Sequence, residues 1–146
     1  MDFKTTLQWW REIEKAFAKK LIDWKLQALE FAPDEQFKDW DLKIRFEKGW
    51  KIQEKTFEIK RDFKSQETWN IALEYRCNWK PSGIYASKAD YIVFCLENWE
   101  FYYQDRWELL YRISDIVKYS TCWWDGDRAE MYIIKKELLP MLFNKL

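Results

Sequence analysis

Thr56-Phe57-Glu58-Ile59-Lys60 is the stretch from which the fold of this chain can be inferred. Its apolar and polar residues alternate, which is the pattern of a β-strand with one buried face. In such a strand Glu58 and Lys60 share one face, about 7 Å apart along the backbone, while Phe57 and Ile59 share the other. The sequence therefore predicts a strand that carries a carboxylate and an ammonium group side by side.

A second alternating run, residues 40–46, precedes this strand and is separated from it by the turn-like Glu47-Lys48-Gly49. Two such runs predict an antiparallel hairpin whose open end lies near Asp41 and Glu58. Asp39 has the same strand parity as Asp41, so either aspartate could face Glu58. Two carboxylates beside a lysine form a site suited to a hard divalent cation with a proton-handling neighbour.

Two further patterns frame the hairpin. Residues 5–28 place apolar side chains at helical spacing without Pro or Gly, which predicts a long amphipathic helix. Glu14 interrupts its apolar stripe and either points inward, where it needs a partner, or pairs with Arg11 at the edge of the stripe. The continuous apolar run 91–96 predicts a strand in the centre of a sheet.

Composition limits the classes of function. The length of 146 residues fits one domain, 1–146. The chain has no histidine, which excludes histidine-dependent triads and histidine-ligated metals, and its three cysteines form no Cys-x-x-Cys pair. The net charge is zero, so binding of nucleic acid would depend on a local basic bias between Lys60 and Lys88, a stretch that includes Lys64.

The sequence also bears on location and assembly. No apolar run approaches the roughly 20 residues needed to span a bilayer, so we expect no membrane partner. The N-terminus lacks the apolar centre of a signal peptide, and a cytoplasmic location is expected. Trp69 and Trp79 have polar neighbours and are candidates for base stacking, whereas Trp123 and Trp124 beside a turn are candidates for a homodimer contact.

The order of a helix with Glu14, a strand with Asp41 and a strand with Glu58 and Lys60 resembles the PD-(D/E)xK nuclease superfamily. Three later segments resemble those that follow the corresponding strand in small phage and mobile-element members, and the resemblance covers about residues 12–96. These segments are Thr68 to Tyr75, Pro81 to Ile84 and Ser87 to Val93. The chain departs from the family pattern because Pro33-Asp34 lies well upstream of the first strand, where Trp40-Asp41 stands instead.

The resemblance implies an α/β fold of restriction-endonuclease-like type, with a mixed central sheet flanked by helices. It implies that Asp41, Glu58 and the backbone carbonyl of Ile59 bind Mg²⁺ or Mn²⁺ and that Lys60 assists the attacking water. Glu14 would correspond to the helix glutamate near the metal.

The predicted function is therefore a metal-dependent endonuclease that acts on DNA more than on RNA, with Lys64, Asn70 and Lys88 as candidate contacts to nucleic acid. The alternative is a catalytically inactive module of nuclease fold that binds nucleic acid or a protein partner.

Overall fold

We analysed a computed structural model of the chain, which describes residues 3–21, 26–34, 37, 39–62, 68–116, 118–124 and 126–146. The helices in these ranges are α1 (Phe3–Lys20), α2 (Gly83–Ala86), α3 (Arg106–Ile116) and α4 (Leu139–Leu142), and a 3₁₀ turn (Lys136–Leu138) precedes α4. The strands are β1 (Leu26–Phe31), β2 (Leu42–Lys48), β3 (Lys51–Asp62), β4 (Asn70–Cys77), β5 (Lys80–Pro81), β6 (Tyr91–Leu96), β7 (Phe101–Asp105), β8 (Lys118–Trp124), β9 (Asp127–Lys135) and β10 (Asn144–Lys145).

The strands form two sheets. The larger sheet has the order β1-β2-β3-β6-β7-β10, and the smaller has the order β5-β4-β9-β8. Only the β3–β6 pair is parallel among the strand pairs within the described ranges; the others are antiparallel. The chain is thus a mixed α/β protein whose sheets are mostly antiparallel and are flanked by helices. This agrees with the predicted α/β class.

Strand β6 lies in the interior of the larger sheet and is covered on both faces. Val93 and Cys95 join a core cluster with α1, while Ile92, Phe94 and Leu96 join a second cluster with β4, β9, α3 and α4. This two-sided burial explains why the run 91–96 has no polar alternation and confirms its predicted central position. The larger sheet is therefore packed between α1 on one face and the smaller sheet with the later helices on the other.

Helix α1 packs through one apolar stripe. Ile13, Phe17 and Leu21 are at most 1% exposed, and the Phe17 ring meets the edge of Phe57 with centroids 5.2 Å apart. The sequence expectation of a helix over residues 5–28 is wrong at its end, because α1 stops at Lys20 and residues 26–31 form β1. Backbone pairing of β1 with β2 stabilises the extended conformation there, although the apolar spacing of the segment also fits a helix.

Strand β3 changes its pairing partner near Phe57. Antiparallel pairing with β2 ends at Leu42 and Phe57, whereas parallel pairing with β6 runs from Phe57 to Asp62. A clamp fixes that parallel register: the Thr56 N–H and hydroxyl both donate to Asp90 Oδ2, and the Asp90 N–H donates to Thr56 Oγ1. Beyond Phe57, one edge of β3 is consequently free of β2.

Candidate metal and phosphodiester site

Asp41, Glu58 and Lys60 meet at the point where β2 and β3 separate. The Asp41 N–H donates to the Phe57 carbonyl at 2.9 Å, and Asp41 Oδ2 accepts the Ile59 N–H at 2.7 Å. Lys60 Nζ lies 2.7 Å from Glu58 Oε1. Phe57 and Ile59 are buried in the α1 cluster, as the alternation of the strand predicted, so Glu58 and Lys60 take the other face.

Two cavities share these three residues and Phe37. The helix-side cavity has a volume of about 300 Å³; its other lining residues are Trp10, Arg11, Glu14, Ala32, Asp34 and Ile59. The serine-side cavity has a volume of about 520 Å³; its other lining residues are Glu74, Pro81, Ser82, Gly83, Ala86 and Ser87. The carboxylates of Asp41 and Glu58 therefore line the same pair of cavities, between α1 on one side and α2 with β4 on the other.

The Asp41 carboxyl feels both its burial and the charge of Glu58. The pKa of Asp41 is raised from 3.8 to about 6, chiefly by burial and then by the charge of Glu58, although the Ile59 N–H and the charge of Lys60 lower it. Burial would lower the pKa of Lys60, but Glu58, Asp41 and Glu74 outweigh it and raise that pKa above its ordinary value. Lys60 is therefore an ammonium ion at neutral pH, next to excess negative charge.

Glu14 points inward from α1 and is 7% exposed. Arg11 Nη1 donates to Glu14 Oε2 at 3.1 Å, and Arg11 Nη2 donates to the Ala32 carbonyl at 2.7 Å. Burial raises the pKa of Glu14 to about 7 despite the opposing charge of Arg11, and the charge of Asp41 adds to the rise. Both sequence alternatives for Glu14 are realised together, since the residue is buried and also paired with Arg11.

The donor set fits a hard divalent cation. The contacts of Asp41 engage its Oδ2, and those of Glu58 engage Oε1 with Lys60 and Oε2 with Ser87; each carboxylate oxygen has a further lone pair that a cation can use. Within the described residues, no three Asp, Glu, Cys or His side chains are grouped closely enough to form a metal centre alone. Mg²⁺ commonly uses only one or two protein carboxylates and completes its shell with water and substrate phosphate. The Ile59 N–H donates to Asp41, and the predicted role of the Ile59 carbonyl as a metal ligand stays a prediction.

The competing aspartate, Asp39, takes a different position. Lys88 Nζ lies 3.6 Å from Asp39 Oδ1, and the Lys88 N–H donates to the Asp39 carbonyl. The Asp39 side chain is 43% exposed and lines neither cavity of the site. The geometry thus favours Asp41 over Asp39, and it places Lys88 beside the site in an ion pair with Asp39.

Other predicted residues lie apart from this centre. Asn70 lines a separate pocket at the start of β4. Lys64 lies outside the described residues. Trp123 and Trp124 belong to β8, where the structure describes the backbone but not the side chains, so the predicted dimer contact stays a prediction.

Sequence reasoning missed two residues that shape the site. Ser87 is 3% exposed; its hydroxyl lies 3.5 Å from Glu58 Oε2 and accepts the Ala89 N–H. Its position depends on the β3–β6 register, which has no local signal in the sequence. Arg11 was considered only as a partner of Glu14, and its bond to Ala32 depends on how β1 leads into the following loop. A third contributor is Glu74, whose negative charge helps to raise the pKa of Lys60.

Comparisons of the chain with models of protein families, with curated proteins and with solved structures found no match. No helix among the described residues is both long and apolar enough to cross a membrane. The function is accordingly inferred from the side chains and geometry of the site.

Proposed function

We propose that this protein is a metal-dependent nuclease of restriction-endonuclease-like fold that hydrolyses phosphodiester bonds, in DNA rather than RNA. The observation that carries the proposal is the placement of the Asp41 and Glu58 carboxylates beside the Lys60 ammonium on the walls of the same two cavities. The resemblance of residues 12–96 to the PD-(D/E)xK superfamily also supports it, because the ordered motif contains these same three side chains.

Each side chain has a chemical role in this proposal. A Mg²⁺ or Mn²⁺ ion held by Asp41 and Glu58 would lower the pKa of water and neutralise charge on the scissile phosphate. Lys60 donates hydrogen bonds to a phosphate oxygen as a fixed positive charge, because its raised pKa keeps it protonated. Ser87 positions Glu58, and Glu74 keeps Lys60 charged.

Glu14 is the proton acceptor in the helix-side cavity. A carboxyl group whose pKa is about 7 is partly ionised at neutral pH and is well matched to accept a proton from attacking water. Arg11 holds one of its oxygens in place. The oxygen of water forms the new bond to phosphorus while Glu14 takes its proton, the bond from phosphorus to the leaving oxygen breaks, and that oxygen takes a proton from solvent; the products are a phosphomonoester and a free hydroxyl group.

Cleavage assays test the proposal directly. Purified protein is incubated with supercoiled, linear, single-stranded and branched DNA and with RNA, in Mg²⁺, Mn²⁺ or EDTA. We expect cleavage of DNA that EDTA abolishes and that Asp41→Asn, Glu58→Gln and Lys60→Ala each reduce about 100-fold or more. Asp39→Asn is the matched control, because it removes an equivalent carboxylate two residues away that lines neither cavity, and it should retain activity.

Calorimetry with Mn²⁺ separates the metal site from the reaction. The heat of binding should persist in Asp39→Asn and disappear in Asp41→Ala and Glu58→Ala. Absence of a site-specific heat, together with EDTA-resistant or absent cleavage of every substrate, would overturn the proposal in favour of a non-catalytic module.

A further inference from the structure

A separate pocket lies at the start of β4, away from the two cavities of the site described above. It has a volume of about 620 Å³, and its walls combine an aromatic ring, an amide and side chains of both charges. The lining residues are Thr68, Trp69, Asn70, Lys135, Lys136 and Glu137. This combination suits a flat polar ring with a neighbouring anionic group, since the tryptophan offers a stacking face and the lysines offer charge.

Trp69 adopts a conformation that is unfavourable for a bulky residue. Its φ is 58°, in the left-handed region that glycine enters without steric cost. The Lys136 N–H donates to the Trp69 carbonyl at 3.0 Å and helps to hold this conformation. The ring is 71% exposed, so it contributes little to the core in return. Such strain is characteristic of positions where the side chain serves a function.

The Trp69 ring is accompanied by a fixed cation. Lys136 Nζ lies 5.4 Å from the ring centroid and 2.6 Å from Glu97 Oε1. The ion pair with Glu97 restrains the lysine, since the side chains of both partners are at most 20% exposed. Lys135 is exposed beside it and can meet a phosphate group. The pocket is thus preorganised for an aromatic group on one wall and for an anion at its rim.

The pocket and the phosphodiester site are connected along β4. Asn70 lines the Trp69 pocket and Glu74 lines the serine-side cavity. Four residues of strand separate them by about 13 Å, and alternation places both on the same face, with exposed Ala72 between them. A short oligonucleotide is long enough to occupy both positions at once.

We propose that the Trp69 pocket is a stacking subsite for one unpaired base, so that the substrate is DNA with a single-stranded segment next to the scissile phosphate. This inference rests on the proposed nuclease function for its substrate class. Bases within a duplex already stack on their neighbours, so only an unpaired or displaced base can place its face on Trp69. Asn70 would contact the edge of that base and Lys135 the adjoining phosphate.

Binding measured without catalysis tests the subsite. Fluorescence anisotropy follows a fluorescein-labelled single-stranded oligonucleotide of about 16 thymidines, titrated with protein in EDTA. We expect Trp69→Gly to raise Kd about 5- to 150-fold, the loss of one stacked base, and Trp69→Phe to restore most of the affinity. Glycine relaxes the backbone at φ 58°, so thermal unfolding of Trp69→Gly should match or exceed that of the wild type.

Trp79→Gly is the matched control. Trp79 is also a largely exposed tryptophan with positive φ, 69°, but it lies over Arg128 in the β4–β5 turn and outside the Trp69 pocket. Its substitution should leave Kd within about twofold of the wild type. Equal weakening by both substitutions, or no weakening by Trp69→Gly, would overturn the subsite, as would a wild-type protein that binds no single-stranded DNA.

Failure of the subsite and failure of the proposed function give different results. If Trp69→Gly binds with the Kd of the wild type and cleavage still requires Asp41, the subsite is refuted and the nuclease proposal stands. Trp69-dependent binding by a protein that cleaves no substrate in any metal would support the subsite and refute catalysis. When the subsite and the nuclease are both present, Trp69→Gly should slow cleavage of substrates with single-stranded segments, whereas Trp79→Gly should cleave them at the wild-type rate.

Discussion

Replacement of Glu14 by glutamine should make the metal-free protein more stable at alkaline pH while impairing its activity. Glu14 is 7% exposed, and its pKa rises from 4.5 to about 7 chiefly because burial disfavours its charged form. A carboxyl whose pKa is higher in the folded state stabilises the protein fully below pH 4.5. That contribution is lost as the pH rises through about 7. Glutamine has a similar shape, stays neutral at every pH and can still accept from Arg11.

The magnitude follows from the difference in pKa. At about 1.4 kcal/mol per pKa unit, the change from 4.5 to about 7 corresponds to a loss of about 3 kcal/mol in the free energy of unfolding at high pH. This is an upper limit for the gain from glutamine, which pairs more weakly with Arg11, and we expect a gain of about 1–3 kcal/mol. The gain from Glu14→Gln should therefore be near zero at pH 4 and nearly complete at pH 8.

Urea unfolding in EDTA, followed by circular dichroism at pH 4, 6 and 8, measures the free energy of unfolding of both proteins. Glu12→Gln is the control, because Glu12 lies on the same helix, with a side chain 57% exposed. A Glu14→Gln variant that is less stable than the wild type by the same amount at pH 4 and pH 8 would refute the reasoning. It would mean that the pKa of Glu14 is the same in the folded and unfolded states, so that burial does not govern this carboxyl; a favourable charged pair with Arg11 would instead make the variant progressively less stable from pH 4 to pH 8.

Three further outcomes are expected from the packing and the turns. Phe17→Ala should lower the free energy of unfolding by about 3–5 kcal/mol, because Phe17 is fully buried against Phe57; urea unfolding measures this, and a loss below 1 kcal/mol would contradict it. Asp90→Ala should cost about 3 kcal/mol by removing the clamp on Thr56, with faster hydrogen exchange in β3 and β6 as the specific sign. Gly83→Ala should cost about 2 kcal/mol or more and reduce cleavage, since the new Cβ would lie 2.0 Å from the Glu74 carbonyl oxygen at a φ of 47°; unchanged thermal unfolding would disprove that clash.

Local patterns predicted those parts of the fold that depend on neighbouring residues. The apolar run 91–96 could be recognised as a central strand because both its faces are buried, and the alternation at Phe57 to Lys60 could be recognised because only one is. Glu14 and Arg11 are one helical turn apart, so their pairing was also visible in the sequence.

The remaining features depend on contacts between distant residues. Spacing alone could not distinguish Asp41 from Asp39, because both have the same parity and only the end of the β2–β3 pairing separates their environments. Ser87 reaches Glu58 through the parallel register, and β1 becomes a strand through its pairing with β2. Pairing partners of this kind have no signature within a short window of sequence.

Strand β3 pairs with both β2 and β6, and these two pairings can form at different times during folding. Its hairpin with β2 closes over a two-residue turn, whereas its parallel partner β6 begins almost 30 residues later in the chain. Contacts at short sequence separation form faster than distant ones. During synthesis the β2–β3 hairpin, which bears Asp41 and Glu58, can therefore form before β6 is available to pair. Until β6 arrives, Phe57 and Ile59 lack part of their apolar cover, and this interval is when the nascent chain is most exposed to aggregation.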